Sequence, residues 1–203
     1  MNHYKAHPWH GIPKNSSAHS NAVHAFIEIV PTDTVKYEVD KDSGYLTIDR
    51  PQKFSNIVPA LYGFVPQTYC GEGIAQFCME KSGRTGIVGD SDPLDICVLT
   101  ERDVMHGDIL VHAIPIGGFR MIDGGEADDK IIAVLANDEV YTWSDISEVP
   151  ESIIQRLKHY FLTYKQKPGQ SGLACEITQT YNAEEAKKVV ELSHQDYIAT
   201  FNQ

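Results

Sequence analysis

Asp90-Ser91-Asp92-Pro93-Leu94-Asp95 places three carboxylates within six residues, directly ahead of the apolar run Ile96-Cys97-Val98-Leu99. The run reads as a buried strand. Pro93 cannot sit inside a central strand or a helix, so the acids belong to the loop that enters the strand. Three like charges this close repel unless a cation lies between them. Hard divalent cations, Mg2+ above all, are bound by carboxylate oxygens in this way, with water filling the remaining positions. Two plainer readings stand beside it. A solvated turn would leave the acids facing water. A calcium loop of the helix–loop–helix kind wants Asp at its first and third positions, Gly at the sixth and Glu at the twelfth. Asp90, Asp92 and Glu101 match that pattern, but Asp95 stands at the sixth position and Ile96–Leu99 is too strand-like.

The same logic recurs downstream. Asp123-Gly124-Gly125-Glu126-Ala127-Asp128-Asp129-Lys130 joins the apolar segments Phe119–Ile122 and Ile131–Leu135. Its acids again stand at a strand entrance, its glycines permit tight backbone, and a solvated turn is again the alternative. Glu28 lies inside the apolar strand Ala25–Val30, where an unpaired carboxylate is costly. In Val35-Lys36-Tyr37-Glu38-Val39, period-two alternation puts Lys36 and Glu38 on one face. An ion pair on a wet sheet surface is the plain reading of those two. Asp42-Ser43-Gly44 turns this strand into its partner, Tyr45–Arg50. Tyr62 reads as a core aromatic ahead of a hydroxyl donor.

The groups able to converge are thus Asp90, Asp92, Asp95, Asp123 and Asp128, with Glu28 and Glu38, against Lys36, Arg50, Lys130 and Lys165. Nothing resembles a Ser-His-Asp set or a phosphate-cradling GxxxxGK[ST] loop. Clustered carboxylates with scattered Lys and Arg suit Mg2+-assisted phosphoryl transfer to water. The metal activates the water and clamps phosphate oxygens, and the basic side chains neutralise the leaving group.

These residues need elements to hold them. Pro51–Pro66 reads as irregular, and Gln67–Gly89 as an insertion in which Ile74–Met79 is one strand of a hairpin. Ile109–Ile116 and Phe119–Ile122 read as two strands broken by Pro115 and Gly117-Gly118. Ile153, Ile154, Leu157, Tyr160, Phe161 and Tyr164 form one apolar stripe, predicting a helix from Pro150 to about Gln166 with Tyr164 at its end. A short strand, Leu173–Thr178, precedes a second helix that starts near Asn182, with Glu185 completing a capping-box pattern, and runs to about Thr200. Residues 1–24 form a polar arm carrying His3, His7, His10, His19 and His24. Solvated histidines are the expectation there rather than a transition-metal site, with Trp9 and Ile12 pinning the arm.

The 203 residues suit one domain spanning 1–203. A net charge of −11 disfavours nucleic acid as a partner, since phosphate contacts need the opposite sign. No apolar stretch approaches a membrane span, and the N-terminus lacks the apolar segment of a signal peptide, so the cytoplasm is the expected compartment. Cys70, Cys78, Cys97 and Cys175 form no CxxC pair and read as free thiols.

Asp90-Ser91-Asp92-Pro93-Leu94-Asp95 fits the D-x-D-P-x-D signature, and on it the chain closely resembles the soluble, Mg2+-dependent family I inorganic pyrophosphatases. Ile27-Glu28-Ile29, Lys36-Tyr37-Glu38, Asp49-Arg50, Tyr62-Gly63, Asp123 through Lys130 and Tyr164-Lys165 agree in order and approximate spacing. The resemblance implies an α+β fold: a five-stranded OB-like β-barrel flanked by two C-terminal helices, here with the inserted hairpin. It implies that Asp90, Asp95, Asp123 and Asp128 ligate several Mg2+ ions, with Mn2+ or Zn2+ as substitutes, and that Asp92 orients or deprotonates the water between them. Lys36, Arg50, Tyr62, Tyr164 and Lys165 would hold pyrophosphate oxygens. Lys130, Glu28 and Glu38 would support the metal carboxylates. The implied reaction is hydrolysis of pyrophosphate to two phosphates, by a homo-oligomer. Three departures stand out: Val58 where many relatives carry Tyr, Gly124 where some carry an acid, and the long 67–89 connection, which with the arm would alter subunit contacts or cover the site. A nucleic-acid-binding module and a Mg2+-dependent nucleoside-phosphate hydrolase are the competing readings.

Overall fold

The computed structural model describes residues 5–169, 172 and 174–201. In chain order the strands and helices are β1 (Val23–Ile29), β2 (Val35–Val39), β3 (Leu46–Pro51), β4 (Leu61–Phe64), α1 (Glu72–Ser82), β5 (Val88–Gly89), β6 (Asp95–Leu99), β7 (Ile109–Asp123), β8 (Glu126–Ala127), β9 (Lys130–Leu135), α2 (Glu151–Thr163), β10 (Cys175–Asn182) and α3 (Ala183–Phe201). The fold is α+β. The main sheet runs β1-β4-β6-β9-β7-β8-β5, and β7 also pairs with β1 and β10. Five strands therefore pair in a ring, β1-β4-β6-β9-β7 and back to β1. β2 and β3 form a separate hairpin, turned at Gly44, whose φ of 73° suits glycine.

Strands inside such a ring are covered on both sides, which is why they read as unbroken apolar runs. Alternation then sorts their side chains. Ile96, Val98, Ile131 and Ala133 join a core completed by Ile74 and Phe77 of α1 and Ala186 and Val189 of α3. Cys97, Leu99, Ile132 and Val134 join a second core against Leu157 and Phe161 of α2. Each fully buried Ile, Leu or Phe contributes roughly 1.5–3 kcal/mol.

Several sequence expectations change in three dimensions. The inserted hairpin is not formed: Ile74–Met79 lies within α1, whose Ile74, Ala75, Phe77 and Cys78 are buried. Leu61–Phe64, expected to be irregular, is a strand because Gly63 lets β1 approach. A Cβ there would meet the Phe26 carbonyl oxygen at 1.8 Å. Ile109–Ile122 is one strand rather than two. A bulge between Pro115 and Gly117 absorbs the proline that lacks a donor. The arm is pinned more firmly than expected. Trp9 is 4 % exposed, its indole N–H donates to the Thr68 carbonyl at 2.7 Å, and His24 is buried at the start of β1 rather than solvated. His7 and His10 are half-buried, and His10 Nδ1 sits 2.8 Å from the Tyr197 hydroxyl. His3 and Leu173 lie outside the described residues. All four cysteines are free thiols. Among the described residues, no helix is long and apolar enough to cross a membrane.

α1 begins at Gly71, which offers no capping side chain. Its first amides are met from α3 instead: the Asp196 carboxylate accepts the N–H groups of Gly71, Gly73 and Ile74, each at 3.0 Å. A carboxylate at a helix N-terminus also opposes the helix dipole. Asp196→Ala should therefore cost about 1–2 kcal/mol in urea unfolding and speed amide exchange at Gly73 and Ile74. Unchanged exchange at those amides would show that α1 does not depend on this cap.

Candidate active site

The loop before β6 is held from two sides. Cys70 donates its backbone N–H to the Asp92 carbonyl at 2.8 Å, and Ser91 donates to the Cys70 carbonyl at 3.1 Å. Leu94 donates to the Thr68 hydroxyl at 2.9 Å. Ser91 has a φ of 64°, a left-handed conformation unusual for a residue with a side chain. That single reversal swings Asp90 and Asp92 toward the same space, and the Asp92 N–H caps Asp90 Oδ1 at 2.9 Å. Asp95 begins β6. The parallel β6–β9 register sets it beside Lys130, the first residue of β9. Asp123 ends β7, and the turn through Gly124 and Gly125, at φ of 60° and 95°, leads on to Asp128.

All of these side chains line one cleft of about 340 Å³. It also takes Glu28 from β1, Lys36 and Glu38 from β2, Arg50 from β3, Tyr62 from β4, and Tyr164 and Lys165 from the end of α2. Every residue singled out from sequence is brought together here. The cleft holds further groups that sequence reasoning passed over as site residues: Lys41, Asp49, Lys53, Glu126 and Trp9. Lys41 forms an ion pair with Asp92. It lies one residue before the Asp42-Ser43-Gly44 turn, and only the fold of the β2–β3 hairpin over the cleft reveals its reach. Val58 is fully buried in the core under α2 and presents nothing to the cleft. No residue of α1 lines the cleft, so the insertion does not cover it.

Most of the cleft's carboxylates have a cation or a donor near them. Lys130 is 2 % exposed, and its ammonium bridges Asp95 and Asp128. Lys165 pairs with Asp123. Lys36 contacts Glu38 at 2.8 Å and Asp49 at 3.0 Å, so the expected surface ion pair exists but forms one wall of the cleft. The Tyr62 hydroxyl donates to Asp95 Oδ2 at 2.6 Å while its ring packs against Phe161. It is a core aromatic and a donor at once.

Burial, then Asp128, pushes the Asp90 carboxyl up. Burial likewise raises Asp128, with the Lys130 ammonium opposing it. For Lys130 burial works against the charge, yet Asp128 and Asp95 outweigh it and hold the ammonium well above its usual range. Burial raises Tyr62 well above the usual phenol range, with Asp95 adding to it. This is a concentration of negative charge held out of water and only partly balanced by lysines.

The donor set fits a hard divalent cation. The cleft is lined by carboxylate oxygens from Asp90, Asp95, Asp123 and Asp128, and by neither thiolate nor imidazole among the described residues. Among those residues no three acidic, His or Cys side chains converge as a ready-made cage. The Lys130 ammonium lies between Asp95 and Asp128, and that of Lys165 lies against Asp123.

Comparison with known proteins agrees with this geometry. The sequence model of a family described as Inorganic pyrophosphatase matches residues 25–198. The inorganic pyrophosphatase of Chlamydia caviae is 51 % identical over 200 residues, covering 96 % of this chain and 92 % of the relative. The soluble inorganic pyrophosphatase of Oryza sativa is 34 % identical, covering 97 % and 82 %. The crystal structure of the inorganic pyrophosphatase from Thermus thermophilus superposes with a TM-score of 0.76 at 28 % identity, covering 95 % of this chain and 99 % of that one.

Glu28 is the cleft's most buried glutamate at 7 % exposed. Burial pushes its carboxyl from an ordinary 4.5 up to about 8, although the Val39 N–H, 2.6 Å from Oε1, favours the anion. Between those values the folded chain holds a proton that the unfolded chain releases. The resulting stability is fully present below about pH 4.5 and is lost as pH rises toward 8. The unfolding free energy of the metal-free protein should fall across that window, and Glu28→Gln should make the slope shallower, leaving the part due to Asp90, Asp128 and Asp129, whose carboxyls burial also raises. An equal slope in the variant would exclude Glu28 as its origin.

Proposed function

The chain belongs to the inorganic pyrophosphatase family and is an inorganic diphosphatase, and from that premise we propose that it hydrolyses pyrophosphate with several Mg2+ ions held by Asp90, Asp95, Asp123 and Asp128. Bound there, the metal would polarise phosphate oxygens and lower the pKa of a coordinated water; Mn2+ or Zn2+ would substitute. The observation that carries this reading is the charge pattern of one cleft, in which the half-buried carboxylates of Asp90, Asp95, Asp123 and Asp128 share the lining with Lys36, Arg50, Lys165 and Tyr164.

Asp92 takes the proton from the attacking water, because its side chain lines the cleft, 44 % exposed against 25 % for Asp95, and its backbone N–H and carbonyl are both bonded. The water oxygen forms the new P–O bond as the bridging P–O bond breaks. Arg50, Lys36 and Lys165 offset the charge that builds on the leaving phosphate. Tyr62 and Tyr164 orient oxygens through their hydroxyls. Tyr164 is steadied by stacking on Tyr160 at 5.5 Å. Lys130, Glu28 and Glu38 support this set, Lys130 through Asp95 and Asp128 and Glu38 through Lys36.

The ring of five paired strands is read as an OB-like barrel that carries this cleft on its surface. A single catalytic domain, a homo-oligomeric assembly and a cytoplasmic setting complete the proposal.

Phosphate release from pyrophosphate should require Mg2+ and stop on its removal. Purified, folded protein that leaves pyrophosphate intact in millimolar Mg2+ would end the reading. Asp92→Asn keeps the shape but cannot accept a proton, so kcat should drop by roughly 10²–10⁴ while Mg2+ binding is largely retained. Wild-type turnover in that variant would remove Asp92 from proton transfer.

A further inference from the structure

We propose that the buried Arg120–Asp129 pair fixes Asp128 and Lys130 in the cleft, which makes Asp129 a positioning residue for metal binding. The inference rests on the functional reading above for the role of Asp128. Asp128, Asp129 and Lys130 are consecutive. The first and third line the cleft, while the second turns the other way, 3 % exposed, into the core. In extended chain, holding the middle side chain on the far face sets its two neighbours on the near face.

What holds Asp129 is unusually elaborate. Its Oδ2 accepts from Arg120 Nη2 at 3.4 Å and from the Tyr181 hydroxyl at 3.1 Å. Arg120, at 0 % exposed, is the largest fully buried side chain. Its Nη1 donates to Glu185 Oε1 at 2.8 Å and to Gln179 Oε1 at 2.9 Å. The guanidinium carbon lies 4.8 Å from the Phe77 ring centroid and 5.0 Å from that of Tyr181. A guanidinium close to two rings and hydrogen-bonded to three side chains has little freedom to move.

The surroundings are shaped for this network. Gly118 leaves room for Tyr181: a Cβ there would meet the Tyr181 hydroxyl oxygen at 2.4 Å. Asn182 caps the Glu185 amide at 3.0 Å, yet the Glu185 carboxylate is directed to Arg120. Phe77 comes from α1, so the insertion braces the metal loop from behind without touching the cleft. An apolar cluster of similar volume would be about as stable as buried charges. What the charges add is direction: both Arg120 Nη groups and Asp129 Oδ2 have set partners, although Arg120 Nε and Asp129 Oδ1 have none, and that direction is transmitted to Asp128 and Lys130.

The test is Asp129→Asn, which keeps size and an acceptor for Tyr181 but removes the charge. Mn2+ binding followed by electron paramagnetic resonance and calorimetry needs no turnover. The expected result is a cooperatively folded variant whose Mn2+ affinity falls roughly 10-fold or more. The Mg2+ concentration for half-maximal activity should rise in step, with the KM for pyrophosphate at saturating Mg2+ little changed. A merely structural role would lower the melting temperature and leave metal affinity alone. Wild-type Mn2+ affinity in the folded variant overturns the proposal. If Asp129→Asn does not fold, the paired variant Arg120→Met with Asp129→Leu removes both charges together. Weakened Mn2+ binding in that folded protein supports the positioning role, and wild-type binding overturns it. Wild-type chain that binds Mn2+ but releases no phosphate would sink the functional reading alone, since the Mn2+ comparison still decides the role of Asp129.

Discussion

Carboxylates brought together out of water repel one another, and the structure depends on how that repulsion is met. Lys130 is the central answer. Its ammonium is buried between Asp95 and Asp128, where losing hydration would be prohibitive without two anions beside it. The pairing is also written into the sheet. Asp95 and Lys130 are direct partners across the parallel β6–β9 ladder, so a register slip of one residue would send both side chains to the wrong face. Charge compensation and strand register thus enforce the same arrangement.

That arrangement demands a rigid support. The five ring-paired strands are packed on both faces, with alternate residues of β6 and β9 serving separate cores. Loops entering and leaving such strands cannot drift far. The loop before β6 is further tied to Cys70 and Thr68, and the loop before β9 is tied to Arg120 and Tyr181. Helices α1 and α3 stand behind the sheet and away from the cleft. Asp196 joins them by capping one helix from the other. The β2–β3 hairpin, outside the main sheet, brings the basic wall of Lys36 and Arg50. Cationic side chains held beside carboxylates in one cleft suit a site that must admit a highly charged anion.

Much of this was legible in one dimension. Period-two alternation located β2, the Asp42-Ser43-Gly44 turn located β3, apolar runs located β1, β6 and β9, and a helical stripe located α2. Asp90 through Asp95 identified the acidic wall because like charges at that spacing demand a counter-ion. The failures have physical causes. α1 carries its apolar residues in a short cluster that fits strand or helix equally, and its cap comes from Asp196, more than a hundred residues away. β4 was hidden by flanking prolines and by Gly63, whose value lies in closeness to β1. β7 continues through Pro115 because a bulge forgives the missing donor. Glu185 matched a capping box, but a buried guanidinium was the stronger attraction for its carboxylate.

Sequence by itself determined the chemistry available: which acids, which bases, at what spacing, and on which strand-entering loops. Those features are local, set by residue type and by the periodicity of neighbouring positions. Only the tertiary structure decided that Lys36 and Glu38 face a cleft rather than open solvent, that Lys41 reaches Asp92, and that Asp129 turns from its neighbours to meet Arg120. Such contacts join residues far apart in the chain. They form because a buried charge must find its opposite wherever the packed strands happen to bring one.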